Sequence, residues 1–192
     1  LQLIIFKPLF NRRDFCNKTI TAMIQKIAII IFSFSFVLAG FYNNETGWIY
    51  EQSTFQAFYM LEETSVDGSI VESGDVIGAF KDGACVGWVY ADPNGFTTIP
   101  VMGNDGSFPD YMGNGDVAQL KIYDATHGSI LPLTAGDVLP GWANNEIFII
   151  DGTAYANNIF GCSDELACNY NDSATADDGS CWLASDGCEC SD

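Results

Sequence analysis

Residues 74–90, GDVIGAFKDGACVGWVY, constrain the fold of this chain more than any other stretch. Two apolar arms flank Asp82-Gly83, a dipeptide suited to a two-residue turn that needs positive φ, so the segment reads as a β-hairpin. With those residues as the loop, Lys81 faces Ala84, Phe80 faces Cys85, Gly78 faces Gly87 and Ile77 faces Trp88. One face then carries Val76, Gly78, Phe80, Cys85, Gly87 and Val89; the other carries Ile77, Ala79, Val86, Trp88 and Tyr90. Neither face is polar, which predicts a central hairpin covered on both sides. The Gly78/Gly87 pair leaves a notch into which a ring from elsewhere can pack.

The surrounding chain has the same texture. Short runs rich in Val, Ile, Phe, Tyr and Trp alternate with Gly/Asp/Asn/Pro clusters, and no window holds a 3.6-residue period. Strands are expected at 48–52, 55–62, 69–72, 76–81, 84–90, 96–101, 117–124, 130–133 and 146–150, with turns at Asp67-Gly68, His127-Gly128 and Asp151-Gly152 among others. The expected fold is all-β, an antiparallel β-sandwich of about nine short strands. The triplet Gly-Asp-Val recurs at Gly74, Gly115 and Gly136, which suggests one turn device: a glycine, an Asp accepting backbone N–H groups, then an inward Val. Residues 102–115, rich in Gly, Asn and Asp, read as a surface loop of functional length.

Charge is distributed unevenly. Five of the seven Lys and Arg residues precede residue 40, and from Phe41 onward two lysines face 24 acids, a formal net charge of −22. Such a surface repels phosphate backbones, attracts divalent cations and tolerates salt; it argues against nucleic-acid partners. The early basic residues fit a leader. Met23 to Lys26 is a short positive start, residues 27–38 are an apolar run of signal-peptide length, and Val37-Leu38-Ala39 offers a cleavage site after Ala39. The run is shorter than the roughly 20 residues of a spanning helix, so no stable membrane span is expected after cleavage. Residues 1–22 carry no recognisable pattern and read as upstream sequence before a start at Met23. Loss of the leader with Cys16 leaves six Cys, five of them in the last 31 residues, which in a secreted chain reads as disulfides.

Two segments are similar to known families. GDVIGAFKDGACVGW, followed by VMGNDG and LKIYDA, resembles a β-sandwich module of large secreted bacterial surface proteins, over roughly residues 47–151. The resemblance implies an extracellular, non-enzymatic role in proteins exported by gliding, polymer-degrading bacteria. After a polar linker, residues 161–181 (GCSDELACNYNDSATADDGSC) closely resemble the acidic Cys repeat GCxDxxAxNYxxxATxDDGSC, which decorates the same kind of protein, often in tandem. The expected organisation is thus a leader at 23–39, a sandwich at 41–151, a linker at 152–160 and a disulfide-stapled, loop-rich module at 161–192. Members of these families usually continue into further repeats or a sorting domain, so the chain is expected to be a fragment.

The repeat supplies most of the candidate chemistry. Asp164, Asn169, Asn171, Asp177 and Asp178 offer hard oxygen donors beside Gly179, the ligand chemistry of Ca²⁺, although an EF-hand spacing is missing; the other reading is that they make turns. Zinc is not expected, because His127 is the single histidine and cystine is favoured over thiolate. Cys162 and Cys181 bracket the repeat, and closing them would stabilise it by about 3 kcal/mol; Cys168 would then pair with Cys188 or Cys190. Cys85 is expected as a buried free thiol. Among the aromatic residues, loop-borne Trp142, with Tyr111, is the ligand candidate for sugar rings, and Trp88 is expected in the core. No Ser/His/Asp arrangement surrounds His127, and a carboxylate pair for glycoside hydrolysis is the only catalytic alternative. The reading is therefore a secreted surface, adhesion or structural module, with extracellular polysaccharide or cell-surface matrix as partner; carbohydrate recognition accessory to polysaccharide degradation is the alternative.

Overall fold

The computed structural model describes residues 40–184, so the expected leader at 23–39, the segment before it, and Cys188 and Cys190 lie outside the described residues. The chain divides after Ala39, and the part from Gly40 onward forms one compact unit that includes the Cys-rich repeat. Its strands are β1 (Phe41–Tyr42), β2 (Ile49–Tyr50), β3 (Gln56–Val66), β4 (Ser69–Ile70), β5 (Val76–Lys81), β6 (Ala84–Tyr90), β7 (Thr97–Met102), β8 (Gln119–Asp124), β9 (Ser129–Pro132), β10 (Ile147–Ala156), β11 (Phe160–Gly161) and β12 (Ala176–Asp177). The described residues contain no helix, and none long and apolar enough to cross a membrane.

One four-stranded sheet runs β6-β5-β8-β9, antiparallel throughout. The other is built around β3, which pairs antiparallel with β7 and β4 and parallel with β10. Alternation explains the burial. Ala57, Tyr59 and Leu61 of β3 point inward with Ile99 and Val101 of β7 and Ile150 and Ala154 of β10. They share one apolar cluster with Ile77 and Ala79 of β5, Val86 of β6, Ile122 of β8 and Leu131 of β9. Two faces that alternate in this way remove apolar surface from water, and that burial is the main favourable term in folding.

The hairpin has the expected ends and turn: Asp82 and Gly83 have φ of 49° and 88°, as a two-residue turn with both central residues left-handed requires. Its register differs from expectation. A bulge between Ala79 and Phe80 leaves Val86 unpaired, so Ala79 faces Gly87, Gly78 faces Trp88 and Ile77 faces Val89. The bulge moves Gly87 and Val89 to the core side and Trp88 to the outer side. Trp88 is accordingly half-buried rather than in the core, its Nε1–H donating to the Phe41 carbonyl at 2.9 Å.

Each glycine of the expected notch has its own reason. A Cβ on Gly87 would overlap the Pro100 carbonyl of β7, so here the two sheets touch through backbone. A Cβ on Gly78 would lie 2.7 Å from the Trp48 ring, the foreign ring that the notch admits. Trp48, Val76 and Phe80 form a small outer cluster, with Trp48 and Phe80 edge-to-face.

Two further expectations change. The linker expected from residue 152 is strand: β10 continues to Ala156 through a bulge at Asp151-Gly152, where Gly152 takes φ of 77° and its N–H donates to Glu62. The Gly-Asp-Val device is shared in part. Asp75 and Asp116 each accept the N–H three residues back (Glu72, 2.8 Å; Gly113, 2.7 Å) while donating their own N–H to that residue's carbonyl. Asp137 instead accepts the N–H of Val138. Val76 is buried, but Val117 and Val138 are exposed, because only the first triplet feeds a strand with its Val facing an apolar cluster.

Candidate functional site

At one end of the sheets, four polar side chains from different segments converge. Asp67 opens the β3–β4 turn with φ of 52°, in the left-handed region that Asp tolerates. Asp124 ends β8, and His127 follows three residues later in the β8–β9 turn. Asn158 lies just past β10, brought there because β3 and β10 run parallel and leave the sheet together.

Asn158 is the hub. Its backbone N–H and Nδ2 donate to the two carboxylate oxygens of Asp67 at 2.7 and 2.9 Å, and Nδ2 also donates to Asp124 Oδ2 at 2.8 Å. Its Oδ1 accepts from Ser129 Oγ at 2.7 Å and from Thr175 Oγ1 at 3.1 Å. His127 Nδ1–H donates to Asp124 Oδ2 at 2.7 Å, and its ring meets Phe160 edge-to-face. Thr175 belongs to the repeat and Phe160 immediately precedes it in β11, so these contacts join the repeat to the sheets. Burial alone would push the Asp124 carboxyl up, but bonds from His127, Asn158 and the Thr126 N–H outweigh it and hold that carboxyl below its ordinary value.

The electrostatics are unbalanced. Asp124 and Asp75 are only 4% and 3% exposed, and Asp75 Oδ1 accepts the Ala125 N–H at 2.9 Å beside the site. A pocket of about 190 Å³ opens there, lined by Asp67, Glu72, Asp75, Asp124 and His127 among others. Among the described residues, no lysine or arginine pairs with these carboxylates; Lys81 is held by Asp116 at 2.6 Å, and Lys121 lies over the Phe80 ring.

The residues picked from sequence lie elsewhere. Trp142 is 3% exposed: its Nε1–H donates to the Val101 carbonyl at 3.0 Å and its ring fills the space left by Gly103. Tyr111 is buried too, stacked on Phe108 and accepting the Glu51 N–H at 2.7 Å through its hydroxyl. Neither ring offers a face for a sugar, because the 102–115 loop folds back onto the core instead of projecting from it. Asp105 pins that loop, accepting the Thr54 N–H and hydroxyl and the Ser107 N–H, which hold its carboxyl well below the usual range.

In the repeat, the expected Cys162–Cys181 bridge is present and Cys168 is disulfide-bonded as well; its expected partners, Cys188 or Cys190, lie outside the described residues. Cys85 is a free thiol, pushed up to about 11 by burial despite its bond to the Gly87 carbonyl. The five oxygen donors are engaged locally. Asp164, Asn171, Asp177 and Asp178 each accept an N–H two residues ahead, and Asn169 bridges Ser180 and Trp182. The described acidic and imidazole ligands that do converge are Asp67, Asp124 and His127, whose ligand atoms lie within 4.8 Å of one another. From sequence, His127 and Asp67 are turn residues and nothing brings them together with Asp124 and Asn158. The Asp-x-x-His spacing of 124–127 was visible, whereas the approach of Asp67 and Asn158 depends on tertiary structure. No protein-family model, curated protein or solved structure matches the chain.

Proposed function

We propose that this chain is a secreted, non-enzymatic module of the extracellular surface, a β-sandwich carrying a rigidly seated acidic repeat that serves adhesion, display or spacing. The observation that carries this reading is the Cys162–Cys181 bridge. A stable cystine belongs in an oxidising compartment, and a segment this small and polar depends on it. The apolar cluster common to both sheets supports the sandwich, and the seating of Thr175 and Phe160 against the sheet end supports display over a loose tail. Expression with residues 23–39 in a Gram-negative host tests the location. A mature product beginning at Gly40, outside the cytoplasm, with Cys162 and Cys181 oxidised, is expected; an uncleaved cytoplasmic product with reduced cysteines overturns the reading.

A calcium-loaded repeat belongs to the same proposal, with Asp164, Asn169, Asn171, Asp177 and Asp178 as donors, and it requires those side chains to exchange turn bonds for the ion. Calorimetric heat that EDTA abolishes supports it, and a flat titration leaves them as turn residues. Carbohydrate recognition is a second reading, favoured by the outer face of β6. There Tyr90 is 50% exposed and Trp88 packs edge-on between Tyr90 and Tyr50. A glycan array showing binding lost in Tyr90→Ala supports that reading; silence on every polysaccharide removes it.

A further inference from the structure

We propose that the seam between the sheets and the repeat is a site for a divalent first-row transition ion of the zinc class, bound by Asp67, Asp124, His127 and Asn158. This goes beyond the extracellular reading and does not depend on it.

The ligand set is chemically mixed: two carboxylates, one imidazole and one amide. Imidazole selects zinc, copper, nickel or cobalt over the hard, oxygen-seeking Ca²⁺. The four side chains already lie in contact. His127 Nδ1 lies 2.7 Å from Asp124 Oδ2, and Asn158 Nδ2 lies 2.8 Å from that atom and 2.9 Å from Asp67 Oδ2. The three acidic and imidazole ligand atoms lie within 4.8 Å of each other, and the ligands of a tetrahedral ion held at about 2.1 Å are about 3.4 Å apart. Asp67 and His127, both exposed, are the side chains free to close that gap.

The amide completes the set through one rotation. Asn158 now directs Nδ2, its donor end, between the two carboxylates, where a cation would sit. Behind it, Oδ1 is held by two hydroxyls, Ser129 and Thr175, and a hydroxyl accepts as readily as it donates. Turning the amide over therefore loses nothing at the back and presents Oδ1 to the ion. His127 presents its Nδ1 lone pair with the ring proton on Nε2.

A second observation is independent of the ligand geometry. Asp124 and Asp75 are buried charges in a pocket whose described carboxylates lack a lysine or arginine partner. Asp75 is satisfied by the Glu72 and Ala125 N–H groups and Asp124 by Thr126, His127 and Asn158, so what the cluster lacks is positive charge, for which His127 is the sole candidate within it. Asp75 and Glu72, which also line the pocket, add negative potential without needing to ligate, and the pocket has room for water ligands.

The full chain with its disulfides intact, stripped by chelator, is titrated calorimetrically with Zn²⁺ and separately with Ca²⁺; Co²⁺ absorption reports imidazole coordination. One Zn²⁺ per chain, bound at least tenfold more tightly than Ca²⁺ at this site, is expected. His127→Gln and Asp67→Asn, both exposed, should each weaken zinc at least tenfold, while Asp110→Asn, exposed on the 102–115 loop, leaves it unchanged. Asn158→Asp separates a site from a merely structural hub: it should tighten zinc while lowering the Tm of the stripped chain. Near-UV circular dichroism of each stripped variant confirms folding, and wild-type Zn²⁺ and Co²⁺ titrations decide if a variant misfolds. No zinc heat, zinc binding indifferent to both His127→Gln and Asp67→Asn, or calcium binding as tight as zinc that those two substitutions abolish overturns the proposal. None of these outcomes bears on export or disulfide formation.

Discussion

Gly87 and Gly78 sit on neighbouring strands and lack side chains for different physical reasons, which gives them different costs of change. At Gly87 the obstacle is the Pro100 carbonyl, backbone of the opposite sheet, which can move only if the sheets part. Gly87→Ala should cost about 3 kcal/mol, read as a drop in denaturant midpoint at unchanged slope. At Gly78 the obstacles are the rings of Trp48 and Phe80, which can shift toward solvent on the outer face, so Gly78→Ala should cost about 1 kcal/mol. Equal effects would mean that the sheets do not meet at Gly87. Asp124 supports a different kind of prediction. Its folded carboxyl titrates below its unfolded value of about 3.9, so its contribution is complete above that pH and is lost as pH falls through the lower, folded value. Asp124→Asn should flatten the acid limb of a midpoint-against-pH curve between pH 6 and 2. A variant curve parallel to wild type would refute the pairing with His127 and Asn158.

The elements show where local chemistry is decisive and where it is not. Strands β5 and β6 end where the sequence places them, because Asp82-Gly83 sets the turn by its own φ preference. The bulge at Val86 was not legible, since the contact it accommodates, Gly87 against the Pro100 carbonyl, is made with a distant strand of another sheet. Strand β10 was cut short for a related reason: Asp151-Gly152 has the composition of a turn, but the partner strand β3 holds it as a bulge. The site divides in the same way. Asp124 and His127 could be paired from spacing, whereas Asp67 and Asn158 meet only because β3 and β10 run parallel, and no local pattern announces a parallel pair. β11 and β12 form a ladder of two residue pairs beside the Cys162–Cys181 bridge, and the Asn158–Thr175 bond and the Phe160–His127 ring contact that seat them are few beside the long ladders of β3. Reduction should therefore release the repeat first. Hydrogen exchange in mild reductant is expected to deprotect Asn171, Asp178 and their neighbours, whose amides bond Cys162 and Gly161, while β3 amides stay protected. Simultaneous loss of protection in both would show that the repeat and the sheets unfold together.

Over the whole molecule, excess negative charge sets the terms on which the fold is stable. From Phe41 onward two lysines oppose 24 acids. In the structure both lysines are committed, Lys81 to Asp116 and the Tyr111 carbonyl, Lys121 to the Phe80 ring. The remaining carboxylates repel one another across the surface, and folding brings them closer than an expanded chain would. Screening shortens that repulsion, from a reach of about 30 Å at 0.01 M salt to under 10 Å above physiological ionic strength. Stability should thus rise with monovalent salt. We expect a gain of about 1 kcal/mol, or about 3 °C in Tm, between 0.01 and 0.5 M NaCl in the presence of EDTA. Choline chloride should do the same, because the effect depends on ionic strength and not on ion identity. Zinc added at micromolar concentration leaves ionic strength unchanged, so any stabilisation it gives must come from binding and should vanish in His127→Gln while the salt response persists. A Tm that stays flat or falls with both salts would show that the acidic surface is already spaced widely enough to fold without screening.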